Sequence, residues 1–344
     1  MRLYAGTYTN LGGDGVLSYE MDGASGKLTR LHAENVYANP SYLALSSDGT
    51  RLYAACERGE SAVIAAFATG SDGALRPLGE AAFPGAGTCH VCLSPDGRRA
   101  IGANFPSGDV FSVCLQEDGA VGALASHVIY EVSGSEPPRR MPSYAHCAMF
   151  LPGGKHVLAA DLGSDSLWLH SYDPESGVLG QPARALRFPA GEGPRHLALD
   201  AAQGRILVNA EMGNKLYVCA WDGKQGIRIV KVLPVLSPGF AGKSSAAALK
   251  ISPDGRYAAV SNRGEDSVAM FVPTEDLCER LGNFPTGGRT PRDIAFSPDG
   301  RYLVSAHQDS GTLTVCRFDG ESGSLTAPVW EEPAVGAVSV LFAQ

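Results

Sequence analysis

The 344-residue chain has no apolar run near the roughly 18 consecutive residues that a membrane-crossing helix needs. It is also poor in charge. Charged residues are 19 % of the total, and 36 Asp and Glu outnumber 28 Lys and Arg for a net charge of −8. That sign disfavours nucleic acid and anionic lipid as main partners, so neither nucleic acid nor membrane is expected to bind. A local group of arginines can still oppose the global sign and hold a small anion. Cysteine is scattered, 8 in all, with a single close pair, Cys89 and Cys92 of "CHVC". On a strand, residues three apart face opposite sides. The pair therefore reads as reduced, half-buried thiols and not as a metal or redox motif, and the spacing is not that of a disulfide scaffold. There is no Gly-x-Ser-x-Gly elbow and no zinc motif. A serine or metal mechanism is not the starting point, and no metal and no cofactor is expected. The first residues, "MRLYAGTYTN", enter a strand pattern at once with no basic-then-apolar leader, so the expected compartment is the cytoplasm.

Helical periodicity is nearly absent, and in its place the chain carries a repeat. An apolar strand, a glycine turn and a second apolar strand occur in "SYLALSSDGTRLYAACE", "CHVCLSPDGRRAIGANF", "HCAMFLPGGKHVLAADLG", "RHLALDAAQGRILVNAEMG", "AALKISPDGRYAAVSNRG" and "RDIAFSPDGRYLVSAHQD". The six turn glycines are Gly49, Gly97, Gly154, Gly204, Gly255 and Gly300, spaced 45 to 57 residues apart. Outer-strand segments such as "GKLTRL", "GALRPL" and "GSLTAP" recur seven times. Four strands in about 48 residues is the unit of a β-propeller. The mismatch of six hairpins with seven outer strands has a reading of its own. N-terminal "RLYAGTY" lacks an inner strand and C-terminal "GAVSVLFA" lacks an outer one. Pairing them completes a seventh blade and removes exposed sheet edges. The expected fold is all-β: a seven-bladed β-propeller with four antiparallel strands per blade, one domain over residues 1–344, and an inserted loop at 132–144.

In each hairpin the start of the inner strand and the end of the second strand should meet at one mouth of the central channel. Counting seven residues on from each turn glycine reaches Cys56, Asn104, Asp161, Glu211, Asn262 and His307. Such residues often do no more than hydrogen-bond the loop that follows. The inner strands start at Ser41, Cys89, His146, Arg195, Ala247 and Arg292. Ionisable residues thus cluster in consecutive blades: His146 with Asp161, Arg195 and His196 with Glu211, Arg263 of "SNRGED", and Arg292 of "TPRD". His90, beside Cys89, is a further substrate-binding candidate. Arginine offers fixed donors for a carboxylate or phosphate. His or Glu can act as general acid or base. The residues alone lead to a propeller with an anion-binding, acid–base site, and equally allow Arg195 and Glu211 to be a cross-strand ion pair.

Several segments carry a family resemblance: "LYAGTYT", "NPSYLALS", "AHCAMFLPGGKHVLAADLGSDSLWLHSYD", "GPRHLALD", "SPDGRYAAVSNRGEDSVAMF" and "PRDIAFSPDGRYLVSAHQDSGTLTVCRFD". Over essentially its whole length the chain resembles the seven-bladed propeller lactonases. That family includes bacterial 6-phosphogluconolactonases and a fungal carboxymuconate-lactonizing enzyme. The resemblance implies a catalytic site of His146, Arg195, Glu211 and Arg263, with Arg292 as an additional candidate; His196, Asp161 and His90 are expected around the substrate from their places at the strand ends. One departure is "SSAAALKISPDG", where relatives carry an acidic residue before the "ISPDG" strand.

The expected activity is therefore a metal-independent lactonase of the 6-phosphogluconolactonase type, acting on a small anionic lactone. The alternatives are a cycloisomerase or lactonase for another anionic lactone, and a non-catalytic binding propeller. The last calls for an exposed aromatic rim, yet Trp168, Trp221 and Trp330 are the only 3 tryptophans and none falls at a mouth position.

Overall fold

The structure, a computed structural model, describes residues 1–130, 142–200, 204–221, 223, 226–274 and 277–343. Most of the expected 132–144 loop lies outside the described residues. Among those described, the chain forms seven antiparallel sheets of four strands, and helix is confined to one short turn, Thr9–Leu11. Six sheets follow chain order. Their inner strands are Pro40–Leu45, Thr88–Leu93, Ala145–Phe150, Pro194–Asp200, Ser245–Ile251 and Pro291–Phe296. They head the first to sixth blades. In the closing blade the C-terminal strand Ala337–Phe342 is innermost and pairs with Arg2–Thr7, which continues to Val16–Met21 and Leu28–Glu34. Each inner strand touches the next around the ring, and Ala337–Phe342 touches Pro40–Leu45, which closes it.

The hairpin turns follow from their residues. In the SPDG-type turns the Ser hydroxyl donates to the Asp side chain and also accepts the amide of the returning strand, as Ser94 does with Asp96 and Arg99. The following Gly97 sits at φ +68°, a left-handed conformation that glycine adopts without steric penalty.

Strand alternation buries one face of each sheet against the preceding blade and the other against the next. The core therefore divides into seven apolar clusters, each drawn from two neighbouring blades. Leu3, Leu17 and Met21 of the closing blade pack on Tyr302, Val304 and Val315 of the sixth. Because the ring closes only through this interface and its counterpart with the first blade, Leu3→Ala, at a fully buried position, should lower unfolding stability by about 2–5 kcal/mol. A denaturant titration measures this.

One irregularity recurs. Between each inner strand and its partner the register slips at the same level: between Pro40 and Tyr42, Thr88 and His90, Ala145 and Cys147, Pro194 and His196, and Pro291 and Asp293. In the fifth blade the slip lies between Ala246 and Leu249, and in the closing blade it is opposite Gly6 and Thr7. These are β-bulges, in which one residue has no partner across the ladder and its side chain is re-aimed. The bulged residues include Ser41, Cys89, His146, Arg195 and Arg292.

Candidate active site

The bulges and the ends of the second strands surround a pocket of about 360 Å³ at one mouth of the channel. His146, Arg195 and Arg292 enter it from bulges, and Glu211 and Arg263 from second-strand ends, beside Glu57. Phe105, Pro106 and Cys89 complete an apolar flank. Phe105 stacks on Tyr144 (4.7 Å between ring centres) and meets His146 edge-on at 5.7 Å.

Glu211 is the central anion. Its Oε2 lies 2.8 Å from Arg195 Nε and 3.0 Å from Arg263 Nη2. Backbone carbonyls fix both guanidiniums: Arg195 Nη1 donates to Ala247 O at 2.6 Å and Arg263 Nη2 to Ala246 O at 3.1 Å. Those two carbonyls belong to the bulge of the fifth blade, so four strand ends from two neighbouring blades hold one charge cluster. The ion pair of Arg195 with Glu211 exists, as the bland reading of this hairpin required, but it spans the pocket wall and is joined by Arg263.

On the other side Arg292 Nη2 lies 3.5 Å from Glu57 Oε1, and its guanidinium covers the Tyr8 ring at 5.3 Å. Tyr8 donates its hydroxyl to Glu57 Oε2.

Residues 2–342 match the family described as lactonase, 7-bladed β-propeller. The chain belongs to this family. It is 30 % identical over 327 residues to the 6-phosphogluconolactonase of Bacillus subtilis, covering 94 % of this chain and 93 % of that protein. Among solved structures it is similar to the periplasmic gluconolactonase of Pseudomonas aeruginosa, with a TM-score of 0.92, 27 % identity and coverage of 100 % and 99 % of the two chains. A Lactobacillus plantarum protein gives a TM-score of 0.89 at 26 % identity, covering 100 % of this chain and 99 % of the other. Membership supports a role as a lactone hydrolase acting on a small lactone.

Five of the residues expected from the sequence meet in the pocket: His146, Arg195, Glu211, Arg263 and Arg292. Three lie elsewhere, each for a physical reason. Asp161 is fully buried, and its carboxylate is consumed by donors of its own blade: Ser143 Oγ, Tyr144 N, Gly163 N, Ser164 N and Oγ, and Trp168 Nε1. It builds a loop and does not border the pocket. His90 lies one level deeper in the channel, stacked on Tyr42 at 4.3 Å and 3.4 Å from Cys147 Sγ. His196 lies at the same depth, against Arg195 Nη1 at 3.0 Å, and borders only a small cavity of about 10 Å³ beneath the pocket floor. Further down, Lys250 of "ALKISPDG" pairs with buried Asp293 at 3.2 Å, and so supports the floor from inside the channel.

Glu57 and Tyr8 were not anticipated. In the fourth hairpin the second strand begins at Arg205, directly after Gly204, whereas in the first it begins at Arg51, two residues after Gly49. A count of seven from the glycine therefore reaches Glu211 in one blade but stops at Cys56 in the other. Aligned on strand pairing, Glu57 is the counterpart of Glu211: Cys56 opposes Pro40 as Ala210 opposes Pro194, and the glutamate comes next. Tyr8 holds the same place in the closing blade, after Thr7 opposite Ala337.

Burial and like charge set the protonation states of the pocket. Burial pushes the Glu211 carboxyl up, but Arg263 and Arg195 outweigh it and hold it below its ordinary value. Burial, with help from Arg195 and Arg292, lowers Arg263 to about 10. His146 falls well below the usual histidine range, first through burial and then through Arg195 and Arg292. His196 is depressed by burial and Arg195, and His90 falls to about 3 through burial, Lys250 and Arg195. All three imidazoles are neutral at pH 7.

Their effect on stability has a definite sign. Below the unfolded-state value near pH 6.5 the unfolded chain takes up protons on these histidines and the native chain does not, so acid favours unfolding. The contribution is complete above pH 6.5 and is lost as pH falls, for His90 down to about pH 3. Unfolding free energies from urea titrations should drop between neutral pH and about pH 5, by up to about 1.4 kcal/mol per pH unit for each histidine. His90→Gln should make that limb shallower, and a flat profile over this range contradicts neutral buried imidazoles.

Proposed function

We propose that the protein hydrolyses a sugar-derived lactone, with 6-phospho-D-glucono-1,5-lactone as the first substrate to test, and that His146 is the general base. The observation that carries this reading is a neutral imidazole in the same pocket as two guanidiniums locked in place by one carboxylate. The Bacillus subtilis relative, named 6-phosphogluconolactonase, supports the choice of substrate. The eight free thiols, six of them buried, suit the reducing cytoplasm that we propose as its location.

The lactone carbonyl oxygen faces the N–H groups that Arg195 and Arg263 retain after binding Glu211. His146 takes a proton from a water as that water's oxygen bonds to the carbonyl carbon. The negative charge that develops on the carbonyl oxygen is met by fixed guanidinium donors, which need no reorganisation during the step. The tetrahedral intermediate then collapses. The bond from carbon to ring oxygen breaks, and the imidazolium returns its proton to that oxygen, which leaves as a hydroxyl. The products are the open-chain hydroxy acid and the resting enzyme. Glu211, ionised and bridged by two arginines, is a positioning residue in this scheme. No metal or organic cofactor has a part in these steps. On this reading a phosphate at the far end of the substrate would be met by Arg58 at the rim, 32 % exposed, in exchange for Glu80, which it holds through contacts of 2.9 and 2.6 Å.

The direct test is lactone consumption corrected for spontaneous opening. His146→Gln should lower kcat by about 10²–10⁴. Arg195→Ala should lower kcat/KM by about 10²–10³. Wild-type protein no faster than the Arg195→Ala, Glu211→Gln double variant would remove the proposal. The pH profile adds a second check. Because the His146 imidazole is depressed, kcat/KM should hold its plateau below pH 6.5, past the point where an ordinary histidine is half protonated.

A further inference from the structure

The mouth of the channel carries one residue per blade at the position after the second-strand residue that pairs with the residue preceding the bulge. Around the ring these are Tyr8, Glu57, Phe105, Leu162, Glu211, Arg263 and Gln308. Two of them are carboxylates, Glu57 and Glu211. They stand three blades apart, the largest separation that a ring of seven permits. The pocket therefore has an acid on each side.

The two acids are held differently. Glu211 has two guanidiniums at 2.8 and 3.0 Å. Glu57 has one, Arg292, at 3.5 Å, and the Tyr8 hydroxyl on its other oxygen. Arg292 also donates a hydrogen bond to Gln308 Oε1, likewise at 3.5 Å. Those are long contacts for charged partners, which reach 2.7–2.9 Å when well made. Glu57 Oε1 thus keeps acceptor capacity and Arg292 keeps donor capacity, side by side on the pocket wall. A hydroxyl group both donates and accepts, and neighbouring hydroxyls on a sugar ring meet such a wall on both counts. A carboxylate offers acceptors only and is repelled by Glu57.

The charge balance points the same way. Four arginines and two glutamates line the pocket, and Glu80 just outside neutralises Arg58. Arg292 and Glu57 cancel. The single surplus positive charge lies with Arg195 and Arg263 against Glu211, on the side where the oxyanion forms.

We propose that Glu57, oriented by Tyr8 and set against Arg292, is a specificity-determining residue that reads substrate hydroxyls and makes the pocket select polyhydroxylated lactones over carboxylated ones. This rests on the lactonase reading above and names the substrate class of the same site.

The test uses the full chain with two probes, glucono-1,5-lactone, rich in hydroxyls and uncharged, and muconolactone, which carries a carboxylate and no hydroxyl. Wild type should favour the first. Glu57→Gln keeps the shape but removes the charge. It should raise KM for glucono-1,5-lactone about tenfold, in line with loss of a hydrogen bond to a charged group, with kcat within about twofold, and should narrow the preference over muconolactone. Tyr8→Phe, which frees Glu57 without touching the pocket charge, should raise KM in the same direction by a smaller factor, and provides the measurement if Glu57→Gln does not fold. Thermal melts identify folded variants. An unchanged KM in folded Glu57→Gln, or in Tyr8→Phe if that is the folded variant, overturns the inference while leaving the lactonase reading intact. So does a wild-type preference for muconolactone. Wild type that opens neither probe nor the phosphorylated lactone overturns both.

Discussion

Each inner strand carries one residue more than its partner can pair, and the extra residue is displaced toward the mouth of the channel. This bulge is the constraint on which the site depends. It recurs in every blade at the same level, whatever the residue: Ser41, Cys89 and Val338 occupy it without ionisable chemistry of note, while His146, Arg195 and Arg292 bring ionisable groups from it into the pocket. The backbone thus supplies a ring of places aimed at one pocket, and the side chains decide what the pocket does. In the fifth blade the bulge holds alanines, whose small size leaves the Ala246 and Ala247 carbonyls open to Arg263 and Arg195. An absence of side chain there is part of how the guanidiniums are fixed.

Placing four arginines around a pocket in a protein of net charge −8 requires local neutralisation. Burial alone would raise the carboxyl of Glu211 and lower the guanidinium of Arg263, and each shift is opposed by the other partner. Buried ion pairs persist when geometry is good and the remaining donors find partners, and here the backbone carbonyls of the fifth-blade bulge take one donor of each guanidinium. The deeper channel repeats this arrangement with Lys250 and Asp293. Asp293 Oδ2 also accepts the amide of Val340 at 3.0 Å, which ties the closing strand to the sixth blade directly beneath the pocket. Ring closure and the support of the site share a residue.

The architecture was legible in the sequence because the features that define it are local: a turn glycine needing positive φ, apolar alternation on either side, and a repeat of both. The orphan strands at the two ends announced their own pairing. The site was legible where a charged residue broke an apolar pattern at a strand end, as with Arg195, Glu211 and His146. It was not legible where a polar residue had a second use. Asp161 has the same sequence signature as Glu211, yet it ends one position earlier in the ladder and faces the donors of its own loop. His90 and His196 follow bulged residues directly, and one residue along a strand means one level deeper in the channel. Glu57 escaped notice because the turn of the fourth hairpin sets its glycine one place nearer the strand, so counting from glycines misaligned the two acids. Strand pairing, which sequence periodicity resolves only to within a residue or two, is what separates these cases.

A depressed imidazole is a weak base at rest, and the reason for the depression also supplies the remedy. His146 is lowered first by burial and then by the positive charges of Arg195 and Arg292. In the proposed reaction negative charge develops on the lactone oxygen beside the Arg195 and Arg263 guanidiniums. As that charge grows, the field of Arg195 at the imidazole is offset, and the penalty on protonating His146 shrinks with it. Base strength then rises along the reaction coordinate, when the proton is transferred, and falls again when the intermediate collapses and the proton must leave. At rest the same field keeps the imidazole unprotonated at neutral pH. A single set of guanidiniums accordingly serves oxyanion and base together, and Glu211, by fixing their position, couples the two.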